Sequence, residues 1–377
     1  VTNVDIQSYK TLERIPLTVD DLGRDSKFRY DSIGMNFQKD LGLKGKYCHS
    51  PFNDVTIDRY GECFVCICQA WLPIPVGNIM DFNSLDDIVK SPKAQEIQAS
   101  IVDGSYRYCD ERTCHIIANN ELRDNLNTPD TVTRIIFAID NSCNLRCPSC
   151  RTELIFHKEG ESFDLRMRMS EHIAKLINNH QHELQFTVSG DGDPFASHIY
   201  RQLLGKIDPD VLHDRVIEIV TNGILVKDHW KNLTGIHNFV RRFKISFDAG
   251  SPEVYNITRR GGSWNKLLES TKYIVDWKNE FNPNMNVILN FVVQKSNYKD
   301  IIKFVRIGNQ LGVDVIELQK ITDWGTFTIG GTNTFSDHAV WLPNHPNFGE
   351  LVEIINSPEI VNGEMKVELH NLSHLKN

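Results

Sequence analysis

No apolar run in the 377-residue sequence approaches the ~20 residues that cross a bilayer. Its first residues, VTNVDIQSYKTLERI, lack the charged-then-apolar layout of a secretory signal. These two absences lead us to expect a soluble, cytoplasmic protein without a membrane partner. Excess positive charge is missing as well. The formal net charge is −8 and the pI about 6.0, so the chain has no general electrostatic footprint for nucleic acid, which is not expected as a partner. Internal repeats and low-complexity tracts are also absent. Cysteine does not occur after residue 150, yet nine cysteines stand within the first 150 residues. An odd number without a secretory signal argues against a disulfide framework. The cysteines fall in three clusters: Cys48, Cys63, Cys66 and Cys68; Cys109 and Cys114; and Cys143, Cys147 and Cys150. Such clustering points to thiolate ligation of metal.

With 40% hydrophobic and 24% charged residues, the composition is that of a globular protein long enough for one large core and a smaller module. From residue 132, short apolar runs alternate with helical spacing. The runs are VTRIIFAI, LQFTVS, RVIEIV, FKISF, NVILNFVV and VDVIEL, and they read as buried parallel strands. Between them, sets such as Trp264, Leu267, Leu268, Tyr273 and Ile274, or Ile301, Ile302, Phe304, Val305 and Leu311, recur at helical spacing. The expected fold class is α/β, a partial (β/α)6 TIM-like barrel over residues 127–330, because a full barrel takes ~250 residues. An open doubly wound sheet is the alternative.

Residues 36–126 read as a small separate module. A hairpin turns at Asp58 to Gly61, one helix is capped by Ser84 with Asp87 three residues on, and another starts at Ser91-Pro92 and stops at Gly104. Such a module buries little apolar surface, so a metal centre is expected to supplement its stability. Residues 1–35 form an N-terminal segment, and residues 331–377 a loop-rich extension rich in Gly, Asn, Pro and Thr.

The stretch DNSCNLRCPSC places three cysteines at the carboxyl end of the first barrel strand, the edge where barrel enzymes build their sites. A structural zinc wants a fourth ligand close by, and the next His or Cys is His157, seven residues beyond Cys150. Three thiolates on a 4Fe–4S cluster instead leave one iron free for another ligand. The loops SGDGDP, TNG and ISFDAG put polar groups at the same edge. For each of these loops a Gly-rich turn or helix N-cap is the competing reading. Asn290, Glu317, Gln319 and Asp323 add polar groups on the last two strands, to be matched by a ligand or by one another.

The cysteine trio after the first strand resembles the motif of the radical S-adenosylmethionine (radical SAM) family. The resemblance implies a 4Fe–4S cluster on Cys143, Cys147 and Cys150 that binds S-adenosylmethionine at its open iron. Ser149 departs from the family's aromatic residue at that place. Gly190, Asp191, Gly192 and Asp193 stand where the family holds the amino group of S-adenosylmethionine, with Asp193 in place of a glutamate. Being one methylene shorter, Asp193 leaves part of that contact to backbone carbonyls. Ser246 and Asp248 match the positions that bind the ribose and the methionine carboxylate. Asn222 and Asn290 join them in the expected cofactor-binding set, and Arg259 and Arg260 are either holders of an anionic group or a solvated helix end.

Residues 48–114 resemble the auxiliary-cluster module called SPASM, or its shortened twitch form. This implies an auxiliary 4Fe–4S cluster on Cys48, Cys66, Cys109 and Cys114. A full module has one cysteine more than the six here and binds two clusters, so one cluster is expected. Cys63 and Cys68 are then left as alternative ligands, hydrogen-atom donors in catalysis, or inert buried residues. The module stands before the barrel, although in the family it more often follows.

The implied activity is reductive cleavage of S-adenosylmethionine to a 5′-deoxyadenosyl radical that abstracts hydrogen from a peptide, a protein side chain or a small metabolite. An external donor such as a flavodoxin or ferredoxin supplies the electron, and the auxiliary cluster relays electrons or oxidises the substrate radical. Two other readings stay open: an iron–sulfur electron-transfer protein without its own substrate, and a zinc-stabilised binding module on an inactive barrel.

Overall fold

The structure is a computed structural model that describes residues 3–9, 22–24, 40–212, 215–329 and 331–376. Most of the N-terminal segment 1–35 lies outside the described residues. Packing divides the chain into two compact units that cut across the four segments of the sequence reading. The first comprises residues 1–140, 158–191 and 199–216, the second residues 141–157, 192–198 and 217–377.

In the first unit, β1 (Asp54–Asp58) and β2 (Glu62–Phe64) form the expected hairpin. Its turn closes because the Asp58 carboxylate accepts the Tyr60 and Glu62 N–H groups while Gly61 takes φ +80°. β3 (Gly77–Asn78) pairs antiparallel with β2. Ser84 and Asp87 complete a reciprocal capping box on α1 (Leu85–Val89), and Ser91 with Pro92 opens α2 (Pro92–Val102). Past the end of α2, Gly104 has φ +83°, and a Cβ there would lie 2.4 Å from the Lys44 nitrogen. No other residue fits that approach.

β4 (Arg134–Ala138) and β5 (Leu184–Val188) pair in parallel, joined by the long helix α3 (Glu161–Asn179). β1 lies parallel to β4, with Asp54 opposite Arg134 and Asp58 opposite Ala138. The strand order in this unit is therefore β3-β2-β1-β4-β5. The hairpin of the cysteine-rich module is thus part of the same sheet as the first barrel strand.

The second unit takes up β6 (Arg215–Thr221) from residue 217 onward, followed by β7 (Val240–Ser246), β8 (Asn286–Val293) and β9 (Val315–Lys320), all parallel. All six expected barrel strands are present, within two or three residues at their ends. α5 (Pro252–Thr258) and α6 (Trp264–Phe281) cross from β7 to β8, and α7 (Ile301–Leu311) crosses from β8 to β9; α4 (His198–Lys206) belongs to the first unit from Ile199 onward. The apolar face of α7 follows from its sequence: Ile301, Phe304 and Val305 are buried, and Gly308 lets the helix approach Ile316 of β9. This alternation is the α/β architecture of a partial (β/α)6 TIM-like barrel.

The C-terminal extension has more structure than its composition suggests. A two-residue pair, β10 (Thr328–Ile329) with β11 (Thr332–Asn333), precedes α8 (Phe348–Ile355), and β12 (Val367–Glu368) adds in parallel to β9. Ile321, Phe327 and Ala339 form a small core with Val292 and Trp341 at the carboxyl ends of β8 and β9. Among the described residues, no helix is long and apolar enough to cross a membrane.

Candidate functional site

In the second unit the chain after β4 folds into a cysteine loop. Cys143 N–H donates to the Ile155 carbonyl at 2.8 Å, and the Cys150 and Arg151 N–H groups both reach the Cys147 carbonyl, at 2.9 and 3.0 Å. Cys143 and Cys147 are buried and Cys150 is exposed. Each sulfur faces a donor. The Leu145 N–H at 3.4 Å and the Asn222 side-chain amide at 3.6 Å point to Cys143, the Arg259 guanidinium at 3.7 Å to Cys147, and that of Arg151 at 3.5 Å to Cys150. Burial pushes the Cys143 thiol up to about 12, so a metal that binds here must displace the proton.

Arg259 closes a second contact, an ion pair of 2.7 Å with the Asp248 carboxylate, the two side chains 14% and 4% exposed. Burial raises the Asp248 carboxyl above its ordinary range, and Arg259 opposes that rise. The other Asp248 oxygen accepts the Val292 N–H at 2.7 Å, and Asp248 itself holds φ +55°, a strained conformation for a residue with a Cβ. The Arg259 guanidinium therefore has a carboxylate partner within the chain. Ser246 on β7 is opposite Asn290 on β8, which is opposite Glu317 on β9. The Asn290 side-chain oxygen is buried with no hydrogen-bond partner, an open acceptor beside the Asp248 loop.

Asp193 is only 1% exposed. One of its carboxylate oxygens accepts the Phe195 and Ala196 N–H groups at 3.0 and 3.1 Å, and the other accepts the Thr221 hydroxyl at 2.8 Å and the Asn222 N–H at 2.7 Å. A carboxylate has about four acceptor sites, and all are filled from within the chain. Gly192, Asp193, Asn222, Ser246, Asp248 and Asn290 thus share a unit with the three cysteines, whereas Gly190 and Asp191 belong to the first unit. There the Asp191 carboxylate pairs with Arg59 at 3.0 Å, and a Cβ on Gly190 would stand 3.0 Å from Ala138.

In the first unit, Cys48, Cys66, Cys109 and Cys114 line one cavity with Trp71 and Tyr106. Four separate segments meet there, fastened by hydrogen bonds. The Asp110 N–H reaches the Trp71 carbonyl at 2.6 Å, and the Tyr106 hydroxyl reaches the Lys46 carbonyl at 2.7 Å. Burial lifts Cys48 to about 11 and lifts Cys66 well above its ordinary value, with the Cys48, Cys68 and Cys109 sulfurs adding to the rise at Cys66. Cys63 lies on β2, fully buried, with its thiol directed at the Gly61 carbonyl at 3.7 Å.

The donor sets fit iron–sulfur clusters: three thiols with N–H donors in one unit and four around a cavity in the other. Among the described residues, the group whose ligand atoms gather within the 4.8 Å of a single ion is Glu317, Glu368 and His370, not a cysteine set. Sequence reasoning did not identify Arg151 or Thr221 as part of the site, since an arginine or threonine in a loop carries no spacing signal of its own.

Residues 139–315 match the model of the radical SAM superfamily, and residues 48–115 match that of an iron-sulfur cluster-binding domain, SPASM. The chain thus carries a radical SAM domain, which implies a 4Fe–4S cluster and S-adenosylmethionine as its cofactors. More particularly, it carries a SPASM domain, with its auxiliary iron–sulfur cluster, ahead of the barrel rather than after it. Curated relatives include probable GTP 3',8-cyclases of Saccharolobus islandicus, 25% identical over 52% of this chain. One from Saccharolobus solfataricus is 25% identical over 53%. The chain spans 58% and 59% of the length of these relatives. Similar solved structures include Streptococcus suis SuiB bound to S-adenosylmethionine, with TM-score 0.43, 15% identity, and coverage of 63% of this chain and 50% of that one. Native anSMEcpe with bound AdoMet has TM-score 0.45 and 14% identity, covering 63% of each chain.

Proposed function

We propose that the chain reductively cleaves S-adenosylmethionine and uses the product to abstract hydrogen from a substrate. The observation that carries this reading is the trio Cys143, Cys147 and Cys150 with a donor at every sulfur, beside the Asp248–Arg259 pair and the open Asn290 oxygen. When bound at the trio, the reduced cluster supplies the electron that splits S-adenosylmethionine into methionine and a 5′-deoxyadenosyl radical. The chain's own residues hold and orient. Asn222, Arg259 and Arg151 present N–H groups to the sulfurs, and Asn290 and Ser246 offer polar atoms on one register row for the nucleoside. Cys48, Cys66, Cys109 and Cys114 hold the auxiliary cluster, which relays electrons or accepts one from the substrate radical.

A flavodoxin or ferredoxin delivers the first electron, and the substrate is a peptide, a protein side chain or a small metabolite. A cytoplasmic location is part of this reading, supported by nine cysteines clustered for thiolate ligation rather than disulfide pairing. The four segments 1–35, 36–126, 127–330 and 331–377 remain our functional division of the chain. Anaerobic reconstitution tests the reading: it should give about eight irons per chain, as two 4Fe–4S clusters require, and 5′-deoxyadenosine on addition of dithionite and S-adenosylmethionine. Fully clustered protein that yields no 5′-deoxyadenosine would overturn it, and stoichiometric zinc in colourless protein would restore the binding-module reading.

A further inference from the structure

The geometry points to Asp193 as a positioning residue that acts on the cysteine-trio cluster through Asn222, and not as a ligand of the cofactor's amino group. This rests on the reading of the trio given above. The Asp193 carboxylate is saturated by the Phe195 and Ala196 N–H groups on one oxygen and by the Thr221 hydroxyl and Asn222 N–H on the other. No lone pair is left for an incoming ammonium. What the carboxylate does instead is join the loop after β5 to the loop after β6, fixing the backbone of Asn222 at 2.7 Å.

Asn222 in turn has one orientation. Its side-chain oxygen accepts the Ile224 N–H at 3.1 Å, so its amide nitrogen must face the other way, where it meets the Asn144 side-chain oxygen at 2.8 Å and the Cys143 sulfur at 3.6 Å. Asn222 is 6% exposed, so no water competes strongly for that donor. An N–H donor on a cluster thiolate favours the more negative, reduced state and raises the reduction potential. The chain from Asp193 to Asn222 to Cys143 therefore sets how readily the cluster takes its electron.

The test is a redox titration followed by electron paramagnetic resonance on the full chain, reconstituted anaerobically and titrated without S-adenosylmethionine. The relevant cluster is identified by the signal that S-adenosylmethionine perturbs. Asn222→Ala should lower its potential, by up to about tenfold in the reduction equilibrium, or about 59 mV for one electron. Asp193→Asn keeps an acceptor for Phe195 and Ala196 but turns the other oxygen into a donor, and should shift the potential in the same direction. The double variant should shift no further than Asn222→Ala alone, because both changes remove one interaction. An unchanged potential in Asn222→Ala overturns the proposal, and this variant leaves the Asp193 carboxylate and its bonds in place. Additive shifts in the double variant overturn it too. So does an Asp193→Asn protein with wild-type potential and many-fold weaker S-adenosylmethionine binding, which would make Asp193 a cofactor ligand. Wild-type protein with no S-adenosylmethionine-responsive cluster fails the underlying reading and takes this proposal with it.

Discussion

Replacing Glu317 by glutamine isolates one buried charge whose worth depends on pH. Glu317 is fully buried on β9 and meets Lys244 at 2.6 Å, Arg242 at 2.6 Å and His370 at 3.3 Å. Burial alone would raise its carboxyl, but the His370 bond and the charge and bond of Lys244 override burial and hold it at about 2, against an ordinary 4.5. At about 1.4 kcal/mol per pH unit, that gap stabilises the folded state by about 3 kcal/mol at pH 7. A depressed carboxylate contributes fully above its unfolded value, and the contribution is lost as pH falls from 4.5 toward 2. Glu317→Gln should therefore cost about 3 kcal/mol at pH 7 but only about 1 kcal/mol at pH 3. Urea unfolding of the metal-free chain and its variant at the two pH values reads the difference directly. An equal penalty at both would refute the reasoning, since it would mean that packing and not charge carries the effect.

Two further outcomes are expected. Cys109→Ala should reduce reconstituted iron from about eight to about four per chain, leaving the S-adenosylmethionine-responsive signal intact; loss of that signal together with the auxiliary iron would contradict separate cluster sites. Gly250→Ala should destabilise the second unit by about 2 kcal/mol in thermal unfolding, because the new Cβ would lie 2.5 Å from the Asp300 carbonyl and 2.7 Å from the Phe304 nitrogen. A neutral substitution would show that the start of α7 yields more readily than its packing implies.

Signals that act over a few residues could be read from the chain. The six barrel strands, the Asp58–Gly61 turn, the Ser84–Asp87 capping box and the Ser91-Pro92 helix start all appear where local chemistry puts them. The resemblance implies Cys48, Cys66, Cys109 and Cys114 as auxiliary ligands, and these four line one cavity. What could not be read depends on distant partners. Arg134 pairs with Asp54 across 80 positions, and no periodicity announces that β1 aligns with β4. The bonds that Asp193 makes to Thr221 and Asn222 span about thirty positions and leave no pattern in sequence. β12 is two residues long, too short for an alternation to register, so its addition to β9 is visible only in three dimensions.

The parallel alignment of β1 with β4 bears on how the protein can be cut and how it is made. With β5 on one side, β4 has its other edge occupied by β1. An uncovered strand edge is a template for aggregation. Removing residues 36–126 would strip away that cover and expose the edge leading into the cysteine loop. A truncated barrel is then expected to associate with itself before it can take up a cluster. During synthesis the order works in the protein's favour, since β1 and its hairpin leave the ribosome first. The module that reads as an accessory is, for the first barrel strand, a chaperone built into the same chain.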